Sequence, residues 1–192
     1  MSSYNLDAFV QPACVALIGA SRRSGSVGAV TARNLRTFPG RVFLVNHHQK
    51  LDAAAGIYPQ IADLPETPDL AIVAVPATAV PDVIADLGKL GTRAAVVLSA
   101  GFGETSAGAA GQVLRDRMLA AAHVTGMRIL GPNCIGMLSP HADLNAGFAQ
   151  ALPPPGRLAF LSQSGAVLTT LIDWATAHDI GFSALVSLGE MA

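Results

Sequence analysis

Two stretches of the chain carry the residue types that hold anions. The first is Gly19-Ala20-Ser21-Arg22-Arg23-Ser24-Gly25-Ser26-Val27-Gly28, which follows an apolar run over 14–18 and opens a helical pattern. Free backbone N–H groups at a helix N-terminus, the helix dipole and two arginines make such a loop an anion site. Glycine placement alone fits an ordinary βα turn equally well; the added serines and arginines favour a phosphate. The second stretch, Ser162-Gln163-Ser164-Gly165-Ala166, repeats the order of strand, small polar loop and helix start. There the plain turn and the anion site are evenly matched.

The spacing from Gly19 to Gly25 is wider than the G-x-G-x-x-G dinucleotide fingerprint. A second strand ends in Asn46-His47-His48-Gln49-Lys50, where an NAD site places Asp or Glu for the ribose hydroxyls. Uncharged and basic groups there suit a ligand with an extra ribose phosphate, such as NADP or coenzyme A. For His47 and His48 individually, a solvated loop is the expectation.

Three further loops fall at carboxyl ends of predicted strands, the edge where α/β sheets bind ligands. They are Val75-Pro76-Ala77-Thr78, Ser99-Ala100-Gly101-Phe102-Gly103-Glu104 and Gly131-Pro132-Asn133-Cys134-Ile135-Gly136. Gly101 and Gly103 permit close backbone approach to a ligand; Phe102 either packs on an adenine or covers the core. Asn133 serves a ligand or its own turn with equal weight. Cys134 reads as a small buried hydrophobe, since no histidine partner is placed beside it. Trp174 reads as core or interface. No metal is expected, because the five histidines lack ligand spacing, and no catalytic residue, because no triad or carboxylate pair can be drawn.

The elements that would position these loops alternate along the chain. Strands are predicted over 14–18, 41–46, 69–75, 94–98 and 127–130, with helices over 27–38, 80–90 and 109–122. In the second helix Val80, Val83, Ile84 and Leu87 share one face, Pro81 sits in the first turn and Gly91 marks the end. This alternation predicts an α/β fold, a Rossmann-like parallel sheet wound by right-handed crossovers. After Pro153-Pro154-Pro155-Gly156 the pattern restarts, with strand over 157–161, helix over 165–178 and strand over 182–188. The expected division is a first domain over 1–145, a linker over 146–156 and the start of a second, flavodoxin-like domain over 157–192. One β-α-β unit cannot cover its own edge and faces, so that second domain is expected to be cut short.

Composition closes other doors. Half of the 192 residues are hydrophobic (51%) and only 13% are charged, which excludes disorder. The net charge of −1 without a charge block argues against nucleic acid. No apolar run approaches the ~18–20 residues of a membrane span. No signal peptide is visible, and Cys14 and Cys134 are too few for a disulfide scaffold, so a cytoplasmic location is expected.

Taken together, the 15–28 segment, Val75-Pro76-Ala77, Ser99-Ala100-Gly101-Phe102, Ile129-Leu130-Gly131-Pro132-Asn133-Cys134, Leu144-Asn145-Ala146 and Phe160-Leu161-Ser162-Gln163-Ser164-Gly165-Ala166 resemble the NDP-forming acyl-CoA synthetases. The α part of that family is similar to the α subunit of succinyl-CoA synthetase. A similar architecture occurs in protein lysine acetyltransferases that fuse a synthetase-like region to a GNAT domain. The resemblance implies that Gly19, Ala20, Ser21, Arg22, Ser24, Gly25 and Gly28 hold the phosphates of coenzyme A or an acyl-CoA. It places Asn46 and Lys50 near the adenosine 3′-phosphate, with Pro76, Ala77, Ser99, Ala100, Gly101, Phe102 and Asn133 along the nucleotide and pantetheine path. Ser162, Ser164 and Gly165 would start the helix that stabilises a phosphorylated histidine in working synthetases. None of the five histidines here occupies that histidine's motif, and no ATP-grasp or GNAT segment is seen. The 192 residues are therefore expected to bind CoA without completing the ligase reaction, with the remainder of the ligase or an ATP-grasp subunit as partner and a homo-oligomer open. An acyl-CoA-sensing region of an acetyltransferase and an NADP-binding Rossmann protein are the alternatives.

Overall fold

The computed structural model of the chain describes residues 4–103 and 108–192, so Glu104 lies outside the described residues. In chain order the elements are α1 (Asp7–Val10), β1 (Cys14–Ile18), α2 (Val27–Asn34), β2 (Arg41–Val45), β3 (Ile57–Tyr58), β4 (Leu70–Val73) and α3 (Val80–Leu90). There follow β5 (Ala94–Val97), α4 (Gly108–Thr125), β6 (Arg128–Leu130), β7 (Gly136–Ser139), β8 (Leu144–Gly147), β9 (Pro155–Ser162), α5 (Gly165–Ala177) and β10 (Phe182–Ser187). The first six strands form a parallel sheet in the order β3-β2-β1-β4-β5-β6, that of a Rossmann sheet.

The apolar runs become strands because both faces of this sheet are covered. Alternate residues of each central strand enter opposite cores. Ala16, Ile18, Ala71, Val73, Ala95 and Val97 face Ile84, Leu87 and Met118 of α3 and α4. Val15, Leu17, Leu70, Ile72, Ala94 and Val96 face Phe9, Leu35, Met137 and Leu144. Pro81 occupies the first turn of α3, and Gly91 closes it in the left-handed region at φ +99°.

The second sheet has the order β8-β7-β10-β9, with β7 antiparallel to both neighbours and β10 parallel to β9. β8 runs to Gly147 and β9 starts at Pro155, so the strands of this sheet lie on both sides of residues 148–154 and take up both ends of the expected 146–156 linker. β7 and β8 escape pattern reading because each is four residues long and buried throughout, which leaves no alternation to see. Met137 of β7 enters the core of the first sheet, whereas Leu138 meets Leu168 and Ile172 of α5 and Leu185 of β10. The second sheet is therefore held between the first sheet and α5. Trp174 on α5 is half exposed and stacks on His178, ring centroids 4.5 Å apart.

Asp69, just before β4, ties the bottom of the sheet together. Its carboxylate accepts from the backbone N–H of Ala13 (2.9 Å) and Cys14 (3.2 Å) and from Arg93 (2.7 Å), which also pairs with Asp7. Burial pushes the Asp69 carboxyl up, but Arg93 and the two N–H donors outweigh it and hold it below the usual range. A carboxyl lowered on folding stabilises above its unfolded value of ~3.9, and the contribution disappears as pH falls through the folded value. Asp69→Ala is expected to cost about 2 kcal/mol at pH 7 by urea unfolding, and the gap to wild type should close in acid. A gap that does not change with pH would show that the ionised carboxylate is not what holds β1 to β4.

Candidate functional site

A cleft of about 1070 Å³ opens where the strand order reverses between β1 and β4. Its floor is the carboxyl ends of β2, β1, β4 and β5, through Val45, Ile18, Ala74 and Leu98. Open α/β sheets bind ligands at such a switch point, because the crossover helices leave there to opposite faces and part the loops.

The β1–α2 loop is shaped by its small residues. Gly19 adopts φ +96°, and a Cβ there would lie 2.5 Å from the Ala74 carbonyl oxygen. A Cβ on Gly28 would lie 2.1 Å from the Gly19 carbonyl oxygen, so α2 begins directly against the strand it follows. Ser26 caps α2, accepting from the Ala29 N–H (3.3 Å) and donating to the Arg23 carbonyl (2.7 Å). The Ser21 hydroxyl accepts from the Arg23 N–H at 3.1 Å. The Ala20 carbonyl accepts from the amides of Asn46 and Gln49, which fastens the turn after β2 to this loop.

Nine of the residues expected at the site line the cleft: Gly19, Ser21, Gly28, Asn46, Pro76, Ala77, Ser99, Ala100 and Asn133. Ala20, Arg22, Ser24, Gly25, Lys50 and Gly101 lie outside its lining. Phe102 covers the core. It is wholly buried in the α3–α4 core, turned inward between Gly101 (φ +110°) and Gly103 (φ +157°). Asn133 is tied to neighbouring loops and also borders the cleft. At φ +54° its N–H donates to the Ser99 carbonyl (2.9 Å) and its amide reaches Glu190 (3.3 Å).

The structure also separates residues that pattern reading left together and adds others it passed over. Arg23, not Arg22, reaches the cleft, and adjacent arginines in an irregular loop carry no periodicity to tell them apart. His47 and His48 are exposed yet both border the cleft, their rings 3.8 Å apart. Gln60 and Phe148 arrive from segments with no sequence signal for the site. Among the described lining residues there is no carboxylate, and Arg23 has no ion-pair partner among the described residues. The cleft can therefore attract and hold an anion.

Cys134 sits behind this surface, 4% exposed, with its thiol donating to the Val97 carbonyl at 3.4 Å. Burial pushes that thiol up to about 12, which leaves it protonated and inert at neutral pH. At the second stretch Ser164 caps α5, accepting from the Val167 N–H at 3.3 Å, and the Ser162 hydroxyl accepts from the Ser164 N–H at 3.0 Å. Gly165 lets the helix start close to Ile135, whose side chain lies 2.6 Å from where a Cβ would stand. Both serines are thus engaged in shaping the turn, apart from the main cleft.

Comparison with known proteins places these features. The profile of a family described as "CoA binding domain" matches residues 13–140, and that of a "Succinyl-CoA ligase like flavodoxin domain" matches residues 155–192. An ADP-forming acetate–CoA ligase I from Archaeoglobus fulgidus is 41% identical over 94% of this chain and 26% of its own length. The α subunit of an ADP-forming acetate–CoA ligase II from Pyrococcus furiosus is 37% identical over 97% of this chain and 40% of its own. A solved acetyl-coenzyme A synthetase 1 from Ca. Korarchaeum cryptofilum, in complex with phosphate and ADP, superposes with TM-score 0.86 at 36% identity. That match covers 96% of this chain and 39% of the other. The chain spans about a quarter to two-fifths of the length of these relatives. Among the described residues no helix is long and apolar enough to cross a membrane.

Proposed function

Because the chain belongs to the CoA binding domain family, we propose that its cleft binds coenzyme A or an acyl-CoA, and that it is the CoA-binding portion of an NDP-forming acyl-CoA synthetase. The carrying observation is the cleft at the switch point, with no carboxylate among its described lining residues, where Gly28 brings the N-terminus of α2 against Gly19. Gly19, Ser21 and Gly28 would hold the pyrophosphate through backbone N–H groups and the helix dipole. Arg23, His47 and His48, with Asn46 and Lys50 in the same turn, would meet the adenosine 3′-phosphate. Residues 1–145 would carry most of this site, and the 146–156 connection would add Phe148 to its lining. The N-terminus of α5, from Ser162 to Gly165, would be a second phosphate site serving the wider enzyme. The whole reaction would interconvert acyl-CoA, NDP and phosphate with acid, CoA and NTP. Its phosphorylated histidine and ATP-grasp part would come from beyond these residues.

Calorimetric titration with CoA, 3′-dephospho-CoA, NADH and NADPH tests this reading. CoA should bind, and removing the 3′-phosphate should weaken it about tenfold, as loss of a charge-assisted hydrogen bond does. Tighter binding of either nicotinamide cofactor would overturn the proposal and favour a Rossmann dehydrogenase.

A further inference from the structure

The turn after β2 carries two imidazoles side by side. The rings of His47 and His48 lie 3.8 Å apart, tilted 44° to one another, and both residues are exposed and border the cleft. Hydrogen bonds hold the backbone beneath them. The Asn46 N–H donates to the Tyr58 carbonyl (3.0 Å), the His48 N–H to Asn46 Oδ1 (2.9 Å) and the Gln49 N–H to the Asn46 carbonyl (2.9 Å). The amides of Asn46 and Gln49 fasten the turn to the Ala20 carbonyl, in the loop that carries Arg23. The pair is thus presented to the cleft on a frame shared with Arg23.

The charges on the surrounding elements are few. Arg23, from the β1–α2 loop, is the other basic residue of the described lining, and Lys50 follows in the same turn as the pair. The carboxylates of the flanking segments are engaged elsewhere: Asp52 accepts from the Ala55 N–H (3.1 Å) and Asp63 from the Gln60 N–H (3.1 Å). Tyr58, on the neighbouring strand, is buried and sets its ring against Phe43. The loops after β4 and β5 add Pro76, Ala77, Ser99 and Ala100 to the described lining and no charge.

Imidazole is the side chain whose ordinary range lets it gain a proton between pH ~8 and ~5. Two rings this close titrate as a pair, because a proton on one opposes a proton on the other. With Arg23 already positive and no carboxylate among the described lining residues, nothing in that lining offsets a second imidazolium. A phosphate monoester does so. It brings a charge of about −1.5 to −2 near neutral pH, with acceptor oxygens for both rings.

Resting on the coenzyme A reading above, we infer that His47 and His48 form a proton-linked clamp for the 3′-phosphate. The pair takes up a proton from solvent as the phosphate enters and returns it as the ligand leaves. A state that binds more protons is favoured at lower pH, so affinity for coenzyme A rises as pH falls. Below pH ~6 the gain fades, since the phosphate is then itself protonated. The preference for coenzyme A over its 3′-dephospho form thereby becomes a function of pH.

Calorimetry of the wild-type chain in two phosphate-free buffers of different ionisation heat reads the proton directly. At pH ~7 coenzyme A should bind with net proton uptake, and 3′-dephospho-CoA with none. Between pH ~8 and ~6.5 affinity for coenzyme A should rise about fivefold, while that for 3′-dephospho-CoA should change by less than about twofold. Replacing both rings, His47→Gln with His48→Gln, should flatten the coenzyme A profile and remove the proton uptake. Arg23→Ala removes a charge that does not titrate in this range; it should lower affinity at every pH and keep the slope. A flat wild-type profile, a slope shared equally by 3′-dephospho-CoA, or a slope that survives the double replacement would overturn the inference and leave the coenzyme A reading standing. Wild-type protein that binds coenzyme A at no pH would overturn both.

Discussion

Gly28→Ala is expected to abolish coenzyme A binding at concentrations that saturate the wild type. The added methyl would lie 2.1 Å from the Gly19 carbonyl oxygen and 3.2 Å from the Ser21 nitrogen, all of it backbone that no rotamer change can move. The N-terminus of α2 must then back away from β1, taking with it the N–H groups that would meet the pyrophosphate. Forced overpacking of this kind costs about 1–3 kcal/mol, so the protein should still fold and be testable. Gly25→Ala is the control. It has φ +75° but nothing within 4 Å of a Cβ, so it should cost about 1–2 kcal/mol of stability through backbone strain and leave affinity close to wild type. Titration of both variants beside their urea midpoints checks the pair. Normal CoA affinity in Gly28→Ala would mean that the ligand does not use the start of α2.

Arg23→Ala is expected to weaken CoA about tenfold or more, and Arg22→Ala by less than about twofold. The two arginines are neighbours and both exposed, but only Arg23 borders the cleft. A guanidinium on a phosphate is a charge-assisted contact worth about 1.5–3 kcal/mol. The Arg23→Ala loss should also shrink when salt is raised, since the attraction it removes is screened. Equal losses from the two arginines would show a diffuse field effect and no contact. If Arg23 meets the 3′-phosphate, its replacement should erase most of the preference for CoA over 3′-dephospho-CoA.

The sheet was legible because its chemistry is repetitive. Val15 and Leu17 go to one core and Ala16 and Ile18 to the other, and a strand buried on both faces reads as an unbroken apolar run. α3 announced itself by periodicity, Pro81 and Gly91. The site was legible where backbone demands glycine or small residues, as at Gly19, Gly28 and Pro76-Ala77. What stayed hidden depended on direction. Nothing in Phe102 tells that two left-handed glycines turn it inward, and nothing in Phe148 tells that the Asn34 amide, more than a hundred residues away, bonds the Gly147 and Ala149 carbonyls on either side of it. β7 and β8 were missed for a related reason: four buried residues show neither period.

The pairing of β10 with β7, Leu185 opposite Leu138 and Val186 opposite Met137, has a consequence for modular exchange. The run Pro153-Pro154-Pro155 looks like a seam at which recombination could swap one module for another. Yet a cut there would separate β7 and β8 from the strands that satisfy one edge of their hairpin, and would strip Leu138 of its cover by α5. Chimeras joined at the prolines must match the incoming β10 to the resident β7, whereas a crossover placed before Gly136 moves the whole second sheet as a unit.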